Sequence, residues 1–226
     1  MAKAIKKVGT FTLMAFFGLV LECYGLSVEE LITKVQRNYD QITDFQARFA
    51  QEYTNKSLNR VKKAEGRVYF KKSGMMRWEY RKPRRQEIVS DGSMIWHYQP
   101  DDNQVIVGGI SKTIRAKIPT AFLSGEGDLR RDFRIQSPKG ESQREDSWYL
   151  LDLVPVEPQA DIQRLVLRVD PKRFLIVQTD IYDAFENINR IRFSGIKIDR
   201  NLSDSLFTFT IPPGTQVLRS PVESIR

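Results

Sequence analysis

Apolar and polar residues alternate along much of this chain, most regularly between residues 66 and 105. Met76, Trp78 and Tyr80 recur there at every second position, with polar side chains between them. A period of two places such residues on one face of a β-strand. The dipeptide Asp91-Gly92, which is typical of a tight hairpin turn, separates two of the alternating runs. The stretch therefore predicts neighbouring antiparallel strands that form a wall of large apolar side chains.

Two segments interrupt the alternation and predict helices. Ser27 and Glu30 have the spacing of a capping box, and apolar residues follow at helical spacing to about Gln41. Residues 109–127 lack the period of two and contain Pro119, which predicts one or two short helices. Both segments are candidates to cover the open side of a sheet.

Strand patterns return after residue 127 and continue almost to the C-terminus. Apolar residues occupy odd positions up to Phe193 and even positions from Ile196, so Gly195 predicts a β-bulge or a bend. The run from Phe207 to Ile211 predicts a last strand. Tight connections favour antiparallel pairing. We therefore predict a mainly β fold with a few helices, in which about eleven strands curl into a barrel or half-barrel.

The first 25 residues differ from the rest. They begin with three lysines, continue with an uncharged apolar run over residues 8–21, and end at Gly25. This is the pattern of a secretory signal peptide, so residues 26–226 are predicted to form the single exported domain. Lipidation of Cys23 is a second interpretation and would anchor the chain to a membrane, but Glu22 occupies a position that is normally small.

Composition narrows the chemistry. The 226 residues carry a formal charge of +8 and include one cysteine and one histidine, which excludes a disulfide framework and a Cys/His zinc cluster. His97 lies between Trp96 and Tyr98 and is interpreted as a solvent-side strand residue. The sequence has no nucleophile elbow and no paired-carboxylate pattern. We predict no enzyme activity, no metal and no cofactor.

Basic residues cluster at Arg81, Lys82, Arg84 and Arg85. The signal peptide argues against a nucleic-acid partner, because exported chains rarely meet nucleic acid. Docking to an acidic protein or an anionic membrane surface is one interpretation, and solubility alone is the other.

Four segments resemble a known family. They are GRVYFKKSGMMRWEY from Gly66, IVSDGSMIWHYQPDDNQV from Ile88, IPTAFLSGEGDLRRDF from Ile118 and FTFTIPPGTQV from Phe207. Their order resembles the outer-membrane lipoprotein carrier family, LolA, over residues 27–217. The resemblance implies an incomplete, unclosed antiparallel β-barrel under a helical lid. It also implies a monomeric chaperone in the periplasm that takes acylated lipoproteins from an inner-membrane ABC-type releasing complex to an outer-membrane receptor.

The resemblance also suggests roles for single residues. Lys72 takes the place of an arginine that commonly latches the lid in the family, and Arg77 is a possible substitute. Met76 occupies a position where the family has an apolar side chain at the cavity. The lid is expected to contain Leu31, Val35, Phe122 and Leu123. The acyl-chain cavity is expected to be lined by Phe45, Phe49, Phe70, Met76, Trp78, Tyr80, Met94 and Trp96.

A carrier of this kind avoids the large free-energy cost of exposing acyl chains to water. Each exposed methylene costs roughly 0.8 kcal/mol, so three acyl chains of about fifteen carbons would cost roughly 35 kcal/mol in water. Two other functions remain open at this point. A lipoprotein receptor or an envelope lipid or stress sensor would share the fold, whereas a lipid- or polysaccharide-modifying enzyme would need polar groups inside the sheet.

Overall fold

The computed structural model describes five parts of the chain: residues 26–109, 127–136, 143–145, 147–158 and 161–219. The predicted signal peptide with Cys23 lies outside these residues, and so does almost all of the segment 109–127 that was predicted to be helical.

Most of the described residues lie in strands. The helices are α1 (Val28–Gln41) and the short α2 (Leu129–Asp132), and there are 3-10 turns at Pro100–Asp102 and Asp204–Phe207. The strands are β1 (Asp44–Asn55), β2 (Arg60–Lys71), β3 (Met75–Lys82), β4 (Gln86–Asp91), β5 (Met94–Gln99), β6 (Gln104–Gly109), β7 (Phe133–Ile135), β8 (Gln143–Glu145), β9 (Trp148–Pro155), β10 (Arg164–Val169), β11 (Ile176–Tyr182), β12 (Ile188–Ile198) and β13 (Gln216–Arg219).

All of these strands belong to one open sheet. Its order is β13-β6-β5-β4-β3-β2-β1-β12-β11-β10-β9-β7, and β8 also pairs with β9. Neighbours are antiparallel except for β13, which runs parallel to β6. The two ends of this order, β13 and β7, are not paired with each other in the described residues. The predicted mainly β, unclosed architecture is therefore confirmed, with thirteen strands in the described residues where about eleven were expected.

Helix α1 covers one face of the sheet, which we call the inner face. Ser27 and Glu30 form the predicted capping box, in which the Glu30 N–H donates to Ser27 Oγ at 3.2 Å and Ser27 N donates to Glu30 Oε2 at 2.9 Å. Leu31, Ile32 and Val35 of the helix are fully buried in the same apolar core as the inner side chains of the strands. Burial of this amphipathic stripe, more than helix propensity, holds the helix in place.

The predicted bulge at Gly195 is confirmed. Strand β12 pairs with β1 at Gln46 opposite Lys197 and at Arg48 opposite Ser194, so β12 has one extra residue between these pairs. Gly195 has a φ of +62°, a conformation that glycine adopts without the cost that a Cβ would add. The bulge explains why the apolar side chains of this strand change from odd to even positions.

The predicted last strand from Phe207 to Ile211 is wrong. Phe207 ends a 3-10 turn, the residues after it have no regular structure, and β13 begins only at Gln216. The turn contacts β3 and β4 and buries Phe207 completely. Side chains of this segment alternate because an extended chain packs on the sheet surface, and such packing gives the same period of two as strand pairing.

This C-terminal segment covers the outer face, opposite α1. Arg77 of β3 donates to the Leu206 carbonyl at 3.2 Å. Arg77 shares a row of direct cross-strand neighbours with Val89 and Trp96, so the segment lies on their side of the sheet. Val89 is fully buried there, although it is not part of the core under α1. The sheet near β4 and β5 is therefore covered on both faces.

The fold predicts that Gly66 tolerates no side chain. A Cβ at this position would lie 1.9 Å from the Glu79 carbonyl oxygen and 2.8 Å from the Phe49 ring. We expect Gly66→Ala to lower the free energy of unfolding by about 2 kcal/mol or more, measured by urea denaturation. Gly214→Ala is the control, because a Cβ there meets no atom within 4 Å and only its positive φ is strained. An equal or larger loss at Gly214 would contradict this packing.

Candidate functional site

The inner face is built from cross-strand rows that begin on β1. Residues directly opposite each other on neighbouring strands point to the same face. Phe49 is opposite Gly66, which is opposite Tyr80. Phe70 is opposite Met76 in the same way. Six of the eight predicted lining residues are thereby brought together on the inner face: Phe45, Phe49, Phe70, Met76, Trp78 and Tyr80.

Their rings form a continuous aromatic cluster. The Phe49 ring lies 4.9 Å from both Trp78 and Tyr80, with edge-to-face geometry, and Phe70 lies 5.8 Å from Trp78. Such pairs contribute about 0.5–1.5 kcal/mol each beyond their buried area. Burial raises the pKa of the Tyr80 phenol to about 12, so this hydroxyl stays protonated at neutral pH. The cluster offers a large, uncharged and polarisable surface.

Phe193 of β12 belongs to this cluster and was not predicted as a site residue. Its ring lies 5.9 Å from Phe45 and 6.5 Å from Trp78. The signal was present in the sequence, because Phe193 alternates with Ile191 before the bulge. The sequence did not show that β12 pairs with β1, because these two strands are more than a hundred residues apart.

Met94 and Trp96 were predicted to line the same surface, and this grouping is wrong. Trp96 is opposite Val89, and Val89 is opposite Arg77, which lies on the outer face. Met94 lies two residues before Trp96 and shares its face. These side chains are large and apolar because the C-terminal segment covers that face too. The alternation along β5 therefore showed that Met94 and Trp96 share a covered face, but not that this face is the outer one.

His97 consequently lies on the inner side, where a solvent-side position was expected. It is opposite Ile88, which is opposite Trp78. Its Nε2 lies 2.9 Å from Gln86 Oε1. Burial lowers the pKa of His97, so its neutral form is favoured and the inner face gains no charge at neutral pH.

Helix α1 closes this surface. Of the residues predicted to form the lid, Leu31 and Val35 are fully buried against it, while Phe122 and Leu123 lie outside the described residues. The buried Tyr39 hydroxyl accepts a hydrogen bond from the Ile176 N–H at 3.0 Å. Asn38 Nδ2 donates to the Arg173 carbonyl at 2.8 Å. These bonds tie the end of α1 to the turn between β10 and β11.

Lys72 contacts the same end of α1 from the other half of the sheet. Its Nζ donates to the Asp40 carbonyl at 2.6 Å, in the last turn of the helix. A cation at that end also interacts favourably with the helix dipole. Nearby, hydrogen bonds from the Thr43 N–H and hydroxyl hold the pKa of the Asp199 carboxyl below its ordinary value. Lys72 thus contacts the helix that covers the inner face, and its role as a latch stays a prediction.

Arg77, the other predicted latch residue, lies on the outer face. Its Nε donates to Glu79 Oε1 at 3.0 Å, and it also pairs with Glu87. Its third contact is the Leu206 carbonyl described above. Because α1 covers the opposite face, Arg77 stabilises the C-terminal segment and the latch prediction for it is wrong.

The rest of the described surface adds no metal centre. The described residues contain no group of three or more His, Cys, Asp or Glu side chains that could hold a metal ion. None of the helices in the described ranges combines the length and apolar character needed to cross a bilayer. The aromatic inner face under α1 is therefore the candidate site, and its chemistry is that of apolar binding.

We predict that loss of the Lys72 contact loosens the end of α1. In Lys72→Ala, amides of the last helical turn should exchange with solvent about threefold to fivefold faster, because an exposed cation at a helix end contributes at most about 1 kcal/mol. Native-state hydrogen exchange measures this effect. Lys71→Ala is the control, since Lys71 Nζ donates to the Leu202 carbonyl at 2.8 Å and touches the C-terminal segment instead. Equal exchange of α1 in both variants would contradict a latch.

Comparison with known proteins agrees with this architecture. The family model described as outer membrane lipoprotein carrier protein LolA matches residues 40–210. The outer-membrane lipoprotein carrier protein of Nitrosomonas europaea is 31% identical over 77% of this chain and 82% of its own length. That of Nitrosospira multiformis is 32% identical over 76% of this chain and 80% of its own.

A solved structure of an uncharacterized conserved protein from Thermus thermophilus shares the fold, with a TM-score of 0.54 at 16% identity over 85% of this chain and 98% of that chain. The family match spans most of the described sheet, including the strands β1, β2, β3 and β12 that carry the aromatic cluster. This chain belongs to the outer-membrane lipoprotein carrier protein family, LolA.

Proposed function

We propose that this protein carries lipoproteins across the periplasm with their acyl chains held against the inner face of the sheet. The observation that supports this most is the aromatic cluster, an apolar surface covered by a helix that only side-chain packing and a few polar contacts hold. In this proposal the protein binds and releases cargo and catalyses no reaction. It uses no cofactor and acts as a monomer.

Cargo binding requires α1 to move from the inner face. Leu31, Ile32, Val35 and Tyr39 are buried there. Exposing four such side chains costs about 6–12 kcal/mol. Three acyl chains leaving water gain roughly 35 kcal/mol, so displacement of the helix is favourable on balance and still subtracts a sizeable part of the binding free energy. The cost of displacing the helix keeps the affinity for cargo moderate, and a moderate affinity allows the cargo to be released.

The asymmetry of the contacts suggests how the helix opens. Asn38 and Tyr39 bond the turn between β10 and β11, whereas Lys72 reaches the helix from the turn between β2 and β3. The Lys72 contact is exposed and the Tyr39 contact is buried. We infer that the helix separates first from the β2–β3 side, which uncovers the aromatic cluster while the other side stays attached.

Membership of the family supports a proposal for the route of the cargo. We propose that the chain receives lipoproteins from an inner-membrane ABC-type releasing complex and passes them to an outer-membrane receptor. Both steps occur in the periplasm, which the predicted signal peptide would give it access to.

The test is release of a newly made lipoprotein from energised inner membranes into a soluble one-to-one complex with the purified protein. Met76→Glu places a carboxylate on the inner face, where Met76 is 7% exposed. We expect it to reduce the yield of complex at least tenfold, because the carboxylate lies where acyl chains must pack. Met94→Glu makes the same change on the outer face and is the control.

Circular dichroism and urea unfolding show that each variant is folded, and Met76→Gln replaces Met76→Glu if the charge unfolds the chain. A wild-type protein that forms no soluble complex would contradict the carrier proposal. Equal yields from the Met76 and Met94 variants would instead show that cargo binds elsewhere.

A further inference from the structure

The outer face carries a groove that the carrier role does not use. Its first part, of about 380 Å³, lies around the bulge and includes Arg48, Arg67, Tyr69 and Lys197. Its second part, of about 440 Å³, shares Arg48 and Arg67 and extends to Arg81. The groove is on the face opposite α1, since Arg48 alternates with the inner residue Phe49.

Four cations line this groove without neutralising partners. Arg48, Arg67, Arg81 and Lys197 form no ion pair and no side-chain hydrogen bond with any other described residue. Two carboxylates beside the groove form ion pairs with other cations. Glu79, opposite Arg67 on β3, accepts from Arg77 at 3.0 Å, and Glu65 in the groove wall pairs with Lys82 at 2.8 Å. The four cations of the groove are therefore left without a direct ion-pair partner among the described residues.

The placement of Arg48 and Arg67 is unfavourable when no anion is bound. Arg48 and Arg67 are direct cross-strand neighbours. Like charges directly opposite each other on neighbouring strands destabilise a sheet. The Arg48 guanidinium lies 3.7–3.9 Å from the point where a Cβ of residue 195 would lie, which is ordinary van der Waals contact. Both arginine side chains are exposed and therefore accessible from the groove.

We propose that this groove binds a phosphate group. Two guanidinium forks and a lysine can together donate to an acceptor with three or more oxygens and more than one negative charge, which a terminal phosphate group provides and a carboxylate does not. The Tyr69 hydroxyl and the Gln46 amide in the same groove can donate further hydrogen bonds. The phosphate belongs either to a soluble phosphate compound or to a lipid headgroup. This inference does not depend on the carrier role.

The test uses thermal unfolding of the purified protein at low salt, with and without inorganic phosphate, and with chloride at matched ionic strength. For the wild type we expect phosphate to raise Tm by about 2 °C or more beyond chloride. Arg48→Gln should raise Tm by about 1–2 °C without phosphate, because it removes the like-charge repulsion. Arg48→Gln and Arg67→Gln should each abolish the response to phosphate.

Arg190→Gln is the matched control. Arg190 lies on the same face but pairs with Asp180 at 2.7 Å, so its loss should lower Tm and leave the phosphate response intact. Equal stabilisation of the wild type by phosphate and chloride would mean simple screening and would overturn the proposal. A lower Tm for Arg48→Gln without phosphate would overturn it as well.

Vesicles distinguish the two sources of phosphate. Phosphatidylcholine vesicles with and without phosphatidic acid are floated with the wild type and Arg67→Gln. Binding that requires both phosphatidic acid and Arg67, together with the response to soluble phosphate, identifies a headgroup site. A response to soluble phosphate without vesicle binding identifies a soluble phosphate compound. Vesicle binding without any response to soluble phosphate would reflect general surface charge and would overturn the groove as a phosphate site.

Discussion

The contact between α1 and the inner face is the interaction on which the rest of the structure depends. The sheet is open, so its aromatic inner face would meet water without a cover, and α1 by itself would be too short to be stable. Each element supplies the apolar surface that the other lacks. Because this contact is made mainly of side-chain packing, another apolar body could replace the helix without breaking the backbone hydrogen bonds of the sheet.

The outer face serves a different purpose and is built differently. Between β3 and β6 it is closed by the C-terminal segment, which Arg77, Lys71 and the buried Asp44 hold through hydrogen bonds. The Asp44 carboxylate accepts from the backbone N–H groups of Arg200 at 2.8 Å and Leu202 at 3.2 Å. These contacts stiffen the half of the sheet that carries Trp78. In the carrier proposal, a rigid wall on one side would let the helix on the other side move without unfolding the sheet.

The sequence was sufficient for the class of fold, because period-two alternation and turn residues are local signals. The bulge at Gly195 was found for the same reason, since its change of parity is visible within one strand. The faces of β4 and β5 were not predictable. Alternation shows which residues share a face, but pairing across the Asp91-Gly92 turn decides which face is inward. For this reason Trp96 was assigned to the inner face and His97 to the solvent side, the reverse of what the structure shows. Phe193 was missed because its partner strand is distant in sequence. Lys72 differs from these cases, since only the family resemblance suggested its role and only the structure shows its contact with α1.

The carrier proposal places acyl chains on the inner face once α1 has moved. A photo-reactive amino acid at Trp78 or at Trp96, irradiated during lipoprotein release from membranes, would report which face the acyl chains contact. Cross-links to the acyl chains are expected from position 78 and not from position 96. Cross-links from position 96 alone, or equally from both positions, would contradict the carrier proposal.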